Sequence, residues 1–266
     1  MAMDRREFLK IAGLTVLLGI GGKTGFELLA PGAVDAALKD VPLAAGKKWG
    51  MALDALLLDE PVMDACVKAC HDHNNVPHIG NPKEEVKWIW KETYDHAFPG
   101  QENEYLAESF KEKHFLVLCN HCTNPPCCRV CPTKATWKRE DGIVMMDMHR
   151  CIGCRFCMAA CPYGARSFNW GDPRKAPKEL NPDFPTNREF PTRSMGVVEK
   201  CTFCVERLAK GHFPACVEAA AKVKRNALLF GDLDDARSDV RTALRNRYSI
   251  RRKPELGTGP NIFYMI

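Results

Sequence analysis

Fourteen cysteines stand out in this 266-residue chain because they are grouped in runs rather than scattered. The most regular run, residues 151–162, has the spacing C-x2-C-x2-C-x3-C-P, which is typical of proteins that bind [4Fe–4S] clusters through thiolates. Its first three cysteines can wrap three corners of a cubane from one tight loop, which Gly153 lets approach closely. Cys161 begins the next turn and points to another cluster, so the run predicts a pair of clusters.

A second run, residues 119–132, repeats this spacing with two extra residues between its second and third cysteines. Since the fourth cysteine of each run ligates the cluster of the other, the two runs complete two ligand sets. Set 1 is Cys119, Cys122, Cys127 and Cys161, and set 2 is Cys131, Cys151, Cys154 and Cys157. Cys128 is left over as a predicted non-ligand, although its position beside Cys127 leaves a substitution between the two open.

The remaining cysteines form a second pair of runs, which is incomplete. Set 3 consists of Cys70, Cys201, Cys204 and Cys216. A fourth set would need cysteines at positions 60, 63, 66 and 220, but Glu60, Met63 and Ala220 occupy three of these. We therefore predict three [4Fe–4S] clusters, with Cys66 as a buried remnant and Cys128 as the second non-ligand.

Other cysteine chemistries fit this spacing less well. Structural zinc also uses C-x2-C pairs, but it rarely uses the full four-cysteine run followed by proline. Disulfides would have to pair across short, strained loops. A Rieske centre needs two histidines in place of two cysteines, whereas His121 lies in a run whose cysteines are intact. We predict that His121 is a hydrogen-bonding loop residue.

The rest of the sequence gives little sign of a second activity. A net charge of +5 does not indicate a nucleic-acid partner. The chain shows no Ser/His/Asp arrangement, no phosphate-binding glycine loop and no open metal site. We therefore predict an electron-transfer protein without its own substrate-converting site; the alternative is an enzyme that uses one cluster as a substrate site.

Residues 1–36 are predicted to be a Tat signal peptide, in which Arg5-Arg6 precede a short apolar run at residues 11–22. That run is too short to span a bilayer of roughly 30 Å. Export of a folded protein suits clusters that are inserted while thiols are reduced, because an oxidising periplasm favours disulfides. Cleavage after Ala36 and retention as an anchor both stay open, and residues 37–48 are predicted to be a linker.

Short strand-like segments accompany the cysteine runs. These segments are residues 51–53, 115–118, 143–146, 197–198 and 227–230. Residues 72–114 are predicted to be an insertion, and residues 171–195 a Pro-rich loop. Residues 235–247 have the apolar spacing of an amphipathic surface helix. Its arginines form either a solvated face or a docking site for a partner.

These elements predict an α+β fold over residues 49–266, built from tandem ferredoxin-like [4Fe–4S] domains with short hairpins, loop insertions and a C-terminal helix. One half, residues 49–114 together with 196–266, would hold one cluster. The other half, residues 115–170, would hold two.

The order of the four runs resembles the iron–sulfur subunits that partner membrane quinone-reactive proteins, as in polysulfide reductase, tetrathionate reductase and formate-dependent nitrite reductase. Residues 119–132, 150–162 and 201–216 carry this resemblance, which extends from Met51 over most of the chain. Members of that group typically hold four clusters, and the residues at positions 60, 63 and 220 depart from the pattern.

The Tat signal and residues 87–90 and 254–258 further resemble the DsrO-type subunit of the DsrMKJOP membrane complex of sulfate-reducing organisms. That resemblance implies a periplasmic subunit that relays electrons between an integral membrane quinone-interacting subunit and a multihaem cytochrome c in sulfate or sulfite respiration. It would be attached to the membrane through its partners or a retained signal. The alternative is the iron–sulfur subunit of another periplasmic reductase, of the polysulfide, tetrathionate or nitrite type.

Overall fold

The computed structural model describes residues 47–101, 104–190 and 193–266. The predicted signal peptide and most of the predicted linker lie outside these residues and stay predictions. The described part is a mixed α/β structure with small sheets, in agreement with the predicted α+β class. The tandem ferredoxin-like arrangement and its boundaries also stay predictions. Within the described ranges, no helix has both the length and the apolar character needed to cross a membrane.

The largest sheet joins strands that are far apart in the sequence. Its four strands, in spatial order, are β8 (Leu228–Asp232), β1 (Trp49–Asp54), β10 (Ile262–Met265) and β9 (Ser249–Ile250). The strand β1 is central, because it pairs antiparallel with β8 and parallel with β10. It is covered on both faces, so Met51, Ala52 and Leu53 are all fully buried. A strand buried on both faces has a nearly continuous apolar sequence.

Three antiparallel two-stranded ribbons carry the cysteine runs. The pairs are β2 (Ile89–Thr93) with β3 (His114–Leu118), β4 (Thr136–Lys138) with β5 (Val144–Met146), and β6 (Ser167–Phe168) with β7 (Val198–Glu199). The strands β3, β5 and β7 lead into the runs that start at Cys119, Cys151 and Cys201. The five predicted strand segments are confirmed as β1, β3, β5, β7 and β8, whereas β2, β4, β6, β9 and β10 were not predicted.

The longest described helix, α1 (Glu60–His73), begins where the Asp59 carboxylate accepts a hydrogen bond from the Val62 N–H at 3.2 Å. Such a side-chain cap satisfies a backbone donor that the first helical turn leaves free. Helix α1 buries Cys66 and Cys70 on one face and packs against α7 (Ala215–Val223). The sequence did not predict α1, although the four-residue spacing of its cysteines fits one helix face.

The remaining helices are short. They are α2 (Tyr94–Ala97), α3 (Glu108–Lys111), α4 (Pro126–Arg129), α5 (Phe156–Ala159), α6 (Val205–Ala209) and α8 (Asp239–Asn246), with 3-10 turns at Pro99–Gln101, Pro173–Lys175 and Pro254–Leu256. Helix α8 confirms the helix predicted at residues 235–247. It starts later because the hydroxyl of Ser238 caps it by accepting the Arg241 N–H.

Edge-to-face contacts between aromatic rings hold the first ribbon against the large sheet. The Phe98 ring lies 5.2 Å from Phe115 on β3 and 4.9 Å from Tyr264 on β10, edge-on to both. The Tyr264 hydroxyl donates a hydrogen bond to the Leu116 carbonyl at 3.1 Å. Because β3 ends directly before Cys119, this core fixes where the first cysteine run starts.

Candidate metal centres

The four cysteines of set 1 line one cavity between the two central runs. They are Cys119, Cys122, Cys127 and Cys161. Burial, together with the neighbouring thiols of Cys119, Cys127 and Cys161, raises the pKa of Cys122 to about 12. A thiol with such a pKa stays protonated at neutral pH unless a metal ion replaces the proton.

Cys128 lies outside the lining of the set 1 cavity. Its thiol donates a hydrogen bond to Cys127, which lowers the pKa of Cys127 and raises that of Cys128. Cys128 packs against the apolar cluster around set 2, which also includes Cys127, but only Cys127 lines the set 1 cavity. The geometry therefore favours Cys127 over Cys128 as the set 1 ligand.

The four cysteines of set 2 line a second cavity. They are Cys131, Cys151, Cys154 and Cys157. Cys131 and Cys157 are buried, whereas Cys151 and Cys154 are half-buried. The Val198 N–H of strand β7 donates to the Cys151 sulfur at 3.4 Å. Such a donor favours the thiolate form that binds iron.

Set 3 is the most deeply buried, and its members come from three separate segments. They are Cys70 on α1, Cys201 and Cys204 on the loop after β7, and Cys216 on α7. Burial raises the pKa of Cys70 well above its usual value, and the thiols of Cys204, Cys201 and Cys216 raise it further. The Asn74 amide donates to the sulfurs of Cys70 and Cys204 at 3.6 and 4.0 Å.

Set 1 adjoins both other sets, because Cys119 and Cys122 share one apolar cluster with set 3 and Cys127 shares another with set 2; we call this order a row. The pKa of Cys201 in set 3 is raised. Burial is the largest cause, and the negative charge of Cys119 in set 1 is the second largest. On the other side, burial raises the pKa of Cys157 in set 2, and the charge of Cys127 in set 1 raises it further. Groups bound by these cysteines would be neighbours in the order set 3, set 1, set 2.

The loop between the first two cysteines of the runs that start at Cys119, Cys151 and Cys201 has the same unusual backbone in all three runs. The residue before the second cysteine is left-handed in every case: His121 has φ 41°, Gly153 φ 71° and Phe203 φ 57°. Left-handed conformations are costly for residues with a side chain. The rings of His121 and Phe203 stack with centroids 3.7 Å apart, and this contact helps to hold two of the loops.

Gly153 has a second reason to lack a side chain. A Cβ atom there would lie 2.3 Å from the Gly196 carbonyl oxygen. The role predicted for this glycine is to let the loop approach a cluster. The structure shows that it also lets the loop touch the segment that precedes β7.

Two buried cations lie among the cysteine sets. Burial lowers the pKa of Arg166, but the thiolates of Cys127, Cys157 and Cys119 more than reverse this effect, so its pKa is raised overall. The Lys200 ammonium is fully buried and donates to the carbonyls of Val144 and Cys201. Buried positive charge of this kind offsets the negative charge of thiolate-bound iron.

Several buried polar atoms beside the cysteines have no protein partner in the described parts of the chain. They include the His121 Nε2, the Asn120 side-chain amide and the Thr202 hydroxyl. The Val144 N–H donates to the His121 Nδ1 at 3.1 Å, so the proton of this imidazole is on Nε2. Unpartnered buried donors are costly. Together with four thiols per set, they fit [4Fe–4S] clusters, whose sulfides accept hydrogen bonds.

Next to set 3, His73, Cys204 and Glu206 each place one metal-ligand atom within 4.8 Å of the others. The His73 Nε2 lies 2.7 Å from the Glu206 carboxylate. Since Cys204 already belongs to set 3, we describe His73 and Glu206 as a polar pair that borders the set.

The residues that surround the sets were not predicted from the sequence. No sequence motif includes Arg166, Lys200 or Asn74. Their burial depends on contacts between distant segments. One signal was present, because Arg166 and Lys200 each lie within five residues of a run's end cysteine.

Comparison with known proteins agrees with this geometry. Residues 111–178 match the family model described as a 4Fe-4S dicluster domain. The chain is 40% identical to an Hdr-like menaquinol oxidoreductase iron-sulfur subunit 1 from Archaeoglobus fulgidus, over 98% of this chain and 97% of that protein.

Two further relatives are similar. The iron-sulfur cluster-binding subunit of menaquinone reductase from Nitratidesulfovibrio vulgaris is 34% identical over 82% of this chain and 88% of its own length. A tetrathionate reductase subunit from Salmonella typhimurium is 43% identical over 56% of this chain and 50% of its own length.

Replacement of Gly153 by alanine should disrupt set 2 specifically. Gly164 is the matched control, because its φ of 62° is also left-handed but a Cβ there meets nothing within 4 Å. We expect Gly164→Ala to cost only the left-handed penalty of about 1–2 kcal/mol. Gly153→Ala should cost more and alter one cluster signal in the EPR spectrum of the reduced protein. Identical spectra and melting midpoints for the two variants would contradict this account.

Replacement of Arg166 by methionine should lower the reduction potentials of the clusters in sets 1 and 2. Reduction adds negative charge, which the Arg166 cation stabilises. A loss of 1.4 kcal/mol corresponds to about 59 mV for one electron, so we expect a shift of roughly 50–100 mV. EPR-monitored redox titration measures it. The exposed residue Arg174, paired with Asp172, is the control; equal shifts in Arg174→Met would refute the role of Arg166.

Proposed function

Because this chain belongs to the family of iron–sulfur subunits that includes those of Hdr-like menaquinol oxidoreductase and menaquinone reductase, we propose that it relays single electrons through three [4Fe–4S] clusters. The observation that carries the proposal is the row of three four-cysteine sets. Bound clusters would supply one-electron redox chemistry. The residues of this chain hold them, exclude water and tune their potentials through hydrogen bonds and charge.

The proposed count of three depends on the region where a fourth set would lie. Met63, Cys66 and Ala220 are buried there at 2% exposure or less. The Cys66 thiol donates to the Cys216 carbonyl at 3.4 Å, and burial raises its pKa to about 12. Glu60 points outward and pairs with Lys91. Apolar packing and one protonated thiol therefore occupy this region, which supports three clusters rather than four.

We propose that one end of the relay receives or delivers electrons at an integral membrane subunit that interacts with quinone. Two relatives are named for menaquinol and menaquinone, which supports this partner. The other end would face a redox partner such as a multihaem cytochrome c, in sulfate or sulfite respiration. The resemblance to the DsrO-type subunit carries that part of the proposal.

The proposed location is periplasmic. It rests on the twin arginine and short apolar run near the start of the sequence, with attachment to the membrane through partners or a retained signal. We assign no substrate-converting site, since each of the three sets already has four cysteine ligands and leaves no iron open to a substrate.

A subunit of a tetrathionate, polysulfide or nitrite reductase is the second candidate. The tetrathionate reductase relative supports it, with 43% identity. That similarity covers 56% of this chain, whereas the similarity to the menaquinol oxidoreductase relative covers 98%. The wider coverage favours a complex of the menaquinol oxidoreductase type.

The ligand assignment predicts different outcomes for two cysteines on the same helix. Cys70→Ser should remove or alter one of three cluster signals in the EPR spectrum, because it removes a set 3 ligand, and should slow electron relay in the purified complex. Cys66→Ser is the matched control, with the same chemical change one helical turn away. It should keep all signals and the iron content. Loss of a cluster signal in Cys66→Ser would refute the assignment.

A further inference from the structure

Exposed apolar side chains are concentrated around set 2. Five of the thirteen large hydrophobic residues that are exposed in the described part of the chain lie on its loops. They are Val130 (37% exposed), Ile152 (66%), Phe156 (60%), Trp170 (48%) and Met195 (62%). We call them the set 2 surface. Single exposed apolar residues are ordinary, whereas a group of them marks an interaction site.

Contacts between the underlying segments bring these residues close together. The loop with Ile152 touches the segment with Met195, since Gly153 lies directly against the Gly196 carbonyl. The guanidinium of Arg155 stacks 4.8 Å above the Trp170 ring. Helix α4, which Val130 follows, contacts helix α5, where Phe156 is the first residue.

Set 2 is also the end of the row that lies nearest to solvent. Cys151 and Cys154 are half-buried, whereas every cysteine of set 3 at the opposite end is buried. Ile152 lies between these two half-buried cysteines in the sequence. The set 2 surface therefore surrounds the most accessible point of the proposed relay.

The two cysteine loops of this surface carry positive charge only, whereas Asp172, two residues after Trp170, is paired with Arg174. Residues 126–135 and 148–161 contain Arg129, Lys134, Arg150 and Arg155, and they contain no aspartate or glutamate. Arg150 is paired with Asp147 at 3.3 Å, just before the second loop. Arg129, Lys134 and Arg155 are exposed on these two loops, and we call them the basic rim.

We propose that the set 2 surface is the docking site for an electron-transfer protein or subunit whose own contact face is apolar and edged with carboxylates. The apolar centre would exclude water next to the half-buried cluster, and the basic rim would orient the acidic partner. This inference rests on the proposed electron-relay function and assigns one end of the relay to a partner of stated chemistry.

A matched pair of redox probes tests whether the set 2 surface prefers an acidic partner over a basic one. The probes are mitochondrial cytochrome c, which is basic, and the same cytochrome after succinylation of its lysines, which is acidic. One electron leaves the reduced iron–sulfur protein and converts the ferric haem to ferrous haem, which stopped-flow absorbance records. The full-length protein with its clusters should reduce the succinylated cytochrome faster, and added salt should slow this reaction, since charge steering changes rates about tenfold or more.

Charge reversal locates the docking site. Arg129→Glu and Lys134→Glu should each slow reduction of the succinylated cytochrome several-fold, with unchanged EPR signals. The control is Lys222→Glu, an exposed lysine on α7 at the set 3 end, which should have no effect. Trp170→Ser should slow the reaction at high salt, where apolar contact outweighs charge. Faster reaction with native cytochrome, or an effect confined to Lys222→Glu, would overturn the proposal.

Failure of the docking proposal differs from failure of the proposed function. If neither cytochrome is reduced, the electron-relay function fails. If both are reduced at rates that the four variants leave unchanged, only the docking site is wrong. Sedimentation velocity tests whether a second copy of the chain occupies the set 2 surface, and flotation with anionic vesicles tests whether a lipid surface does. Self-association or vesicle binding that Phe156→Ser abolishes would assign the surface to a second copy or a lipid surface and overturn the proposal.

Discussion

Burial of cysteine thiols is the constraint on which the rest of this structure depends. The thiols of Cys70 and Cys216 are buried, and burial holds the pKa of both well above the usual value. Several such thiols can be deprotonated together only when a metal centre brings compensating positive charge. In the proposed relay, the folding of set 3 is therefore coupled to iron binding, and the surrounding elements bring distant cysteines to one position that excludes water.

Compensating charge and local backbone geometry follow from this constraint. Arg166 and Lys200 place fixed cations among the sets, and the left-handed residues in the cysteine loops turn their backbones tightly. The two ends of the row differ in their surroundings. Helices α1 and α7 enclose set 3, whereas short loops leave set 2 partly open. A relay needs such a difference, because electrons must enter and leave at defined places.

Sequence spacing predicted which cysteines come together because each run is a local motif with its own geometry. Cys70 and Cys201 are about 130 residues apart, so local spacing could not place them in one set. That assignment depended on the rule that the last cysteine of one run ligates the cluster of its partner run. Spacing could not reveal helix α1, the parallel pairing of β10 with β1, or the burial of Arg166. These features depend on contacts between distant segments, and local propensity carries little information about them. The ligand sets and the cluster count themselves stay predictions that the geometry supports.

The number of clusters is the central claim, and the iron and acid-labile sulfide content of the anaerobically purified protein tests it most directly. Three four-iron clusters predict about twelve iron atoms and about twelve sulfides per chain. A content of about sixteen of each would mean that a fourth cluster binds without the cysteines missing at positions 60, 63 and 220, and little or no iron would contradict the account altogether.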